Sequence, residues 1–261
     1  MCNLYRLPAP GWELPDFFQP EDVGRQDLAL DKNYASPGKP APVIVRTQDG
    51  LALKRMSWGF PEGKRPRKTK AKEGQSPWIW DKYYTNARNL TLGLWKPWIA
   101  DPAHHCLVPF ATFAEPKAAA ARGGTDDLNW WFVLAGRPVA CFAGIWKLDA
   151  DHGAVFSFLT SEPNPLVAPL HPKAMPVILQ PEDYDRWLAA DFDGAVALQS
   201  PFPSQLMGLG PNPDHLDLEA RFPAMTDEAL RDAYRAAKPG SIARELILAE
   251  AGRRGLRAQG T

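Results

Sequence analysis

The stretch APVIVRTQDGLALKRMSWGF, residues 41–60, decides the class of fold. Two short runs rich in Val, Ile and Leu flank Asp49-Gly50. Both turn residues tolerate the positive φ that a tight hairpin demands, so the stretch predicts two antiparallel strands. Outward from it, WWFVLAGRPVACFAGIW, residues 130–146, predicts a second hairpin with Ala135-Gly136-Arg137 at its turn. Ala154 to Leu159 reads as a buried strand, and Val177 to Leu179 as one more. The 27 prolines of the chain predict short elements and many turns. Helical signals are fewer. Pro181-Glu182-Asp183 opens a helix through Ala190, with proline in the first turn and acids at the positive end of the dipole. Thr226 caps a helix to Ala237, residues 241–254 form another, and Ala118 to Ala121 form a loop or a short helical turn. The whole reads as an α+β, sheet-rich domain over residues 1–210. The Pro/Gly-rich GLGPNPD follows, then a helical tail over 211–261 that docks on the domain, being too short for a large core of its own.

Composition bounds the function. With 45% hydrophobic residues, the chain can bury a core and is not a disordered protein. No apolar run reaches the length of about 18 residues that a transmembrane helix needs. The start MCNLYRLPAP lacks a charged segment followed by an apolar one, so no secretory signal is expected and a cytoplasmic location is. Three scattered cysteines make no disulfide framework. Thirty basic and thirty acidic groups give zero net charge, hence no global pull towards nucleic acid. That zero is a sum of opposed regions. Residues 1–100 hold 16 basic and 10 acidic groups, and residues 181–234 hold 3 and 11. The run KRPRKTKAK, residues 64–72, holds six basic groups and no acid. It reads either as a solvated loop or, with Trp78, Trp80, Tyr83 and Tyr84 nearby, as a contact for single-stranded nucleic acid, in which cations track phosphates and rings stack on bases.

Four segments carry candidate chemistry. Removal of Met1 would expose Cys2 with a free α-amine beside its thiol. Such an amine is partly neutral at physiological pH and condenses with an aldehyde, and the thiol then closes a thiazolidine ring. An N-terminal cysteine can equally be the nucleophile of a hydrolase. In TNARNL, the Asn86 amide can orient a carbonyl or hydroxyl, and the Arg88 guanidinium can grip a phosphate. Glu115 ends the apolar HHCLVPFATFAEP, where desolvation raises a carboxyl pKa towards useful acid–base values. His171, between a proline-rich loop and an apolar strand, is placed for proton transfer near neutral pH. Each also has a plain structural reading: a turn asparagine, a surface arginine, a strand-end glutamate, a loop histidine. The adjacent His104, His105 and Cys106 lack the spacing of a metal site, so neither metal nor cofactor is expected. Cys106 and Cys141 lie in apolar runs and read as core.

Taken in order, these segments resemble the SOS response-associated peptidase (SRAP) family. Met1-Cys2-Asn3-Leu4-Tyr5 is similar to its N-terminal signature, Ser36-Pro37 to its turn, Trp58-Gly59-Phe60 to its WG block and Asn86-Ala87-Arg88 to its NAR motif. Cys106 through Glu115, Phe142 through Trp146 and His171 through Pro176 resemble its later blocks. The resemblance implies a compact fold around a twisted, barrel-like antiparallel sheet with flanking helices. It implies recognition of abasic sites in single-stranded DNA and a covalent thiazolidine cross-link through Cys2. Cys2, Asn86, Glu115 and His171 would be catalytic, and Arg88, Pro37, Trp80 and Lys82 would contact DNA. Removal of Met1 would be the (auto)peptidase step, and a lyase activity falls within the same chemistry. A monomer acting on DNA and away from membranes is expected. Two alternatives stay open: a cysteine peptidase with Cys2 as nucleophile and His171 as base, and a non-covalent binder of single-stranded DNA. The chain departs from the family at Asn3-Leu4, Asn89-Leu90 and Pro116, in a basic insertion over 61–77, and in the tail.

Overall fold

A computed structural model describes residues 2, 4–9, 12, 33–61, 64–66, 78–80 and 83–256, with the backbone alone at 64–66 and 78–80. Contacts divide the chain into two units: residues 1–113 with 133–208, and residues 114–132 with 209–261.

The strands in chain order are β1 (Leu4–Arg6), β2 (Tyr34–Ala35), β3 (Pro40–Thr47), β4 (Gly50–Trp58), β5 (Phe60–Pro61), β6 (Lys64–Pro66), β7 (Trp78–Trp80), β8 (Tyr83–Tyr84) and β9 (Asn86–Ala87). Helix α1 (Lys96–Ile99) precedes β10 (His105–Phe110), β11 (Thr112–Pro116), β12 (Asn129–Leu134), β13 (Ala140–Asp149), β14 (Gly153–Ser161) and β15 (Met175–Pro176). Helices α2 (Tyr184–Leu188) and α3 (Phe192–Leu198), strand β16 (Met207–Gly210) and helices α4 (Pro213–Arg221), α5 (Asp227–Ala236) and α6 (Ile242–Arg253) complete the chain. None of the described helices is long and apolar enough to cross a membrane.

The first unit is built on a barrel. Strands run in the order β13-β10-β3-β4-β14, and β14 pairs back with β13, which closes the ring and leaves those strands no open edge. The hairpin read from residues 41–60 supplies two of them, in register from Pro40↔Ser57 to Thr47↔Gly50. Its two turn residues are Gln48 and Asp49, and Gly50 takes the positive φ of 118°. All seams are antiparallel except one: β4 lies parallel to β14, with Phe156 opposite Trp58. Strand β9 also lies parallel to β14, with Asn86 opposite Phe158. The interior is aromatic. Phe110 stacks on Phe142 at 3.9 Å, and Phe158 lies 4.7 Å from Phe142 and 5.1 Å from Trp58, centroid to centroid. Such pairs add to their area burial. Cys106 is fully buried there, whereas Cys141 is buried on the other face of β13, in the cluster that holds Ile145, Tyr184 and Trp187. At Gly144 a Cβ would meet Val108 at 2.6 Å and the Cys106 sulfur at 2.7 Å, so only glycine allows β13 this close to β10.

Three expectations change. Strands β12 and β13 both form, but not as a hairpin. The chain turns at Gly136, with φ of 66°, and leaves one sheet for another. Strand β12 is not a neighbour of β13, which pairs with β10 and β14. The strand expected over 177–179 is only a bridge between Phe142 and Ile178, and the regular pairing falls at β15. The basic insertion over 61–77 is not all loop: β6 lies within it and pairs with β7 just after it, from Lys64↔Trp80 to Pro66↔Trp78. Residues 67–77 lie outside the described residues.

The second unit has a small core, with Phe222, Leu230 and Ile247 buried and Ala233, Tyr234 and Ala237 packed against them. Leu230, Ala233, Tyr234 and Ala237 recur at helical spacing, so they share one face of α5. Side chains close the helix starts. Thr226 Oγ1 accepts from the Ala229 amide at 3.1 Å, and Ser241 Oγ from the Arg244 amide at 3.2 Å. Arg254 donates to the carbonyls of Met225 and Phe222.

Candidate functional site

Asn86 is placed by its strand. Pairing of β9 with β14 sets it opposite Phe158, and the Trp58 indole N–H donates to the Thr85 carbonyl at 3.0 Å. Gln199, at the end of α3, donates to the carbonyls of Arg88 at 2.7 Å and Thr160 at 2.8 Å, tying the Asn86–Arg88 segment to the end of β14. Held this way, Asn86 Nδ2 donates to the Cys2 carbonyl at 3.1 Å and to Thr85 Oγ1 at 2.7 Å. Cys2 is 1% exposed, and its thiol donates to the Leu4 carbonyl at 3.5 Å. The Asn86 amide oxygen is buried with no hydrogen-bond partner among the described residues, and so is the Tyr5 hydroxyl. A buried polar atom left this way is costly unless a ligand or water satisfies it. Burial, then the Cys2 and Cys106 sulfurs, push the Tyr5 phenol well above its usual pKa, so it stays a neutral donor.

His171 is partly buried, with Nδ1 2.9 Å from the Ala174 carbonyl. In the neutral ring that nitrogen carries the proton and donates, which leaves Nε2 as the acceptor. Burial holds the His171 pKa below its usual value. The Ala174 carbonyl opposes this, and the positive charges of the chain's amino terminus and Lys173 reinforce it. The ring is therefore neutral at pH 7, the form that can take up a proton. Arg88 pairs with Glu162 through one guanidinium nitrogen, while its Nη1 is buried without a partner among the described residues.

Glu115 lies in the second unit, on β11. It is fully buried, and burial pushes its carboxyl up to about 7, so the protonated and ionised forms are both populated near neutrality. The sequence indicated this desolvation. Pro37 stands exposed in a turn closed by the Lys39 amide on the Ser36 carbonyl at 3.0 Å, with Gly38 at φ 74°. That pattern is a type II turn, in which proline precedes glycine. The side chain of Trp80, all of Lys82 and Met1 lie outside the described residues. The structure thus joins Cys2 to Asn86 directly. Sequence reasoning missed Thr85, Gln199 and Tyr5 as supports. Only Tyr5 had a signal, its place in the N-terminal signature. His104 and His105 bond to backbone carbonyls of Trp146, Trp187 and Ile99, which is a structural use. Among the described residues no cluster of three His, Cys, Asp or Glu could hold a metal ion.

A family model described as SOS response associated peptidase (SRAP) matches residues 1–211. The chain belongs to the SRAP family. Membership ties this SRAP protein to the SOS response to DNA damage. Its fold is shared with solved structures. A protein from Bordetella bronchiseptica aligns with a TM-score of 0.60 and 19% identity, over 81% of this chain and 100% of its own. A protein from Bacteroides thetaiotaomicron aligns at 0.57 and 20%, over 83% and 94%. A phage-related protein from Bordetella bronchiseptica aligns at 0.52 and 21%, over 81% and 94%. A search of the curated proteins gives no match. The model match stops at residue 211, so α4, α5 and α6 fall outside the SRAP region.

Proposed function

We propose that this SRAP protein captures abasic sites in single-stranded DNA through Cys2, after hydrolysis releases Met1. The observation that carries the reading is the 3.1 Å bond from Asn86 to the Cys2 carbonyl, which holds the second residue of the chain in a buried position. A freed Cys2 amine would attack the aldehyde of the ring-opened sugar, losing one water to give a Schiff base. The Cys2 sulfur would then add to the same carbon, its proton passing to the nitrogen, which closes the thiazolidine without any redox change. Asn86 would fix the amino terminus for attack, with its free carbonyl oxygen facing the sugar. Glu115, titrating near neutrality, would protonate the departing water and accept protons in turn. Neutral His171 would take a proton at the sugar hydroxyl. Arg88 would hold a flanking phosphate in exchange for Glu162. Pro37, Trp80 and Lys82 would complete the DNA contact. One chain supplies every residue named, so a monomer suffices.

Intact mass spectrometry tests the chemistry. After incubation with single-stranded DNA bearing one abasic site, the expected product has the mass of the chain lacking Met1 plus the DNA minus one water. Cys2→Ala should give none. Cleavage of added peptides dependent on Cys2 and His171, with no adduct, would replace this reading by a cysteine peptidase.

A further inference from the structure

The hairpin that carries Glu115 is fastened to the C-terminal helices through Asp126 and its neighbours. Strand β11 ends at Pro116, and the Lys117 amide then donates to the Leu128 carbonyl at 2.9 Å, which forms the neck of a loop. Within the loop two neighbouring acids take different partners. Asp127 receives Lys117 Nζ at 2.7 and 2.6 Å and the Gly123 amide at 2.8 Å. Lys117 Nζ also sits 4.3 Å from the Trp130 ring centre. Both partners of that ion pair are only 12% and 13% exposed, so it is a fixed contact rather than a surface pair.

Asp126 turns to the tail. Its carboxylate accepts from the amides of Ile242 at 2.7 Å and Ala243 at 3.0 Å, the first turn of α6. It also meets Nε2 of His215, on α4, at 3.0 Å. The backbone joins in: the Thr125 amide donates to the Gly240 carbonyl at 3.0 Å, and Asn212 Nδ2 to the Asp126 carbonyl at 3.4 Å. At Gly124 a Cβ would lie 3.1 Å from both the Gly240 carbonyl and the Ile242 amide, so the loop backbone touches the start of α6. Burial alone would raise the Asp126 pKa, but the two helix amides and His215 outweigh it and hold the group ionised below the usual range.

We propose that Asp126 is a positioning residue for Glu115, and that the C-terminal helices serve to hold the hairpin on which Glu115 stands. The proposal rests on the acid–base role given to Glu115 above. It also assigns a purpose to α4 and α6, which lie beyond the region matched by the family. Without the clamp, the loop would loosen, water would reach Glu115, and the acid would drift from the place its chemistry needs.

Carbon-13 NMR of the glutamate carboxyls tests it on the full chain, with Glu115→Gln identifying the signal. The wild type should titrate at about 7. In Asp126→Ala the midpoint should fall by about one pH unit towards the ordinary value, as hydration relieves the desolvation. Asp126→Asn keeps an acceptor but no charge, and should move the midpoint less and in the same direction. It also decides the matter if the alanine variant does not fold. Cross-linking of saturating abasic single-stranded DNA should slow roughly tenfold in Asp126→Ala, with its pH profile following the NMR midpoint. An unchanged Glu115 midpoint in the folded variants would overturn the proposal. A wild type that forms no adduct would remove the cross-linking reading and leave the NMR comparison to decide the positioning claim.

Discussion

The two units of this protein have cores of different kinds. In the first, a closed ring of strands buries Phe110, Phe142, Phe156 and Phe158. In the second, three fully apolar anchors, Phe222, Leu230 and Ile247, are supplemented by Lys117–Asp127, Asp126–His215 and the Arg254 contacts. Hydrophobic burial is indifferent to pH, whereas charged hydrogen bonds are not. The first unit carries ion pairs too, Arg88–Glu162 and Lys147–Asp149 among them, but they lie outside its aromatic interior.

The contrast can be broken at several points. Phe158→Ala should have the largest effect, about 3–5 kcal/mol of stability by urea denaturation, because it empties the middle of the aromatic interior. A smaller loss would mean that the barrel repacks. Glu115→Gln comes next, with a sign that depends on pH. The folded pKa of about 7 exceeds the ordinary 4.5, so wild-type stability falls as pH rises through that window and stays low above it. The variant should match wild type below pH 4.5 and exceed it by about 3 kcal/mol above pH 7. Parallel curves across the window would show that Glu115 is not desolvated. Asp127→Ala should cost about 1–2 kcal/mol and speed hydrogen exchange in the second unit, with β13 and β14 unchanged. Ser241→Ala removes the cap of α6 and should cost about 1 kcal/mol, confined to the same unit. Loss of protection spread into the barrel strands by either change would erase the distinction.

The sequence disclosed what local chemistry encodes. Asp49-Gly50 between two apolar runs marked β3 and β4, and Thr226 marked the start of α5. The run before Glu115 marked its burial. What it hid depends on partners far away along the chain. Nothing local tells that Gly136 sends β13 away from β12, or that β14 closes the barrel against β4 in parallel. Asn86 and Cys2 are 84 residues apart, and only the order of the family motifs joined them before the structure did. Gln199 and Asp126 are ordinary residues in sequence, a polar helix end and a loop acid, whose partners exist only in the folded chain. The two opposed charge regions were legible.

Capture through Cys2 requires a covalent bond from that residue to an abasic site. The direct measurement is a denaturing gel after incubation with single-stranded DNA that carries one such site. The account predicts a heat-stable shifted band for the native protein, absent with Cys2→Ala and with intact DNA. The same band from Cys2→Ala, or no band from the native protein, would contradict it.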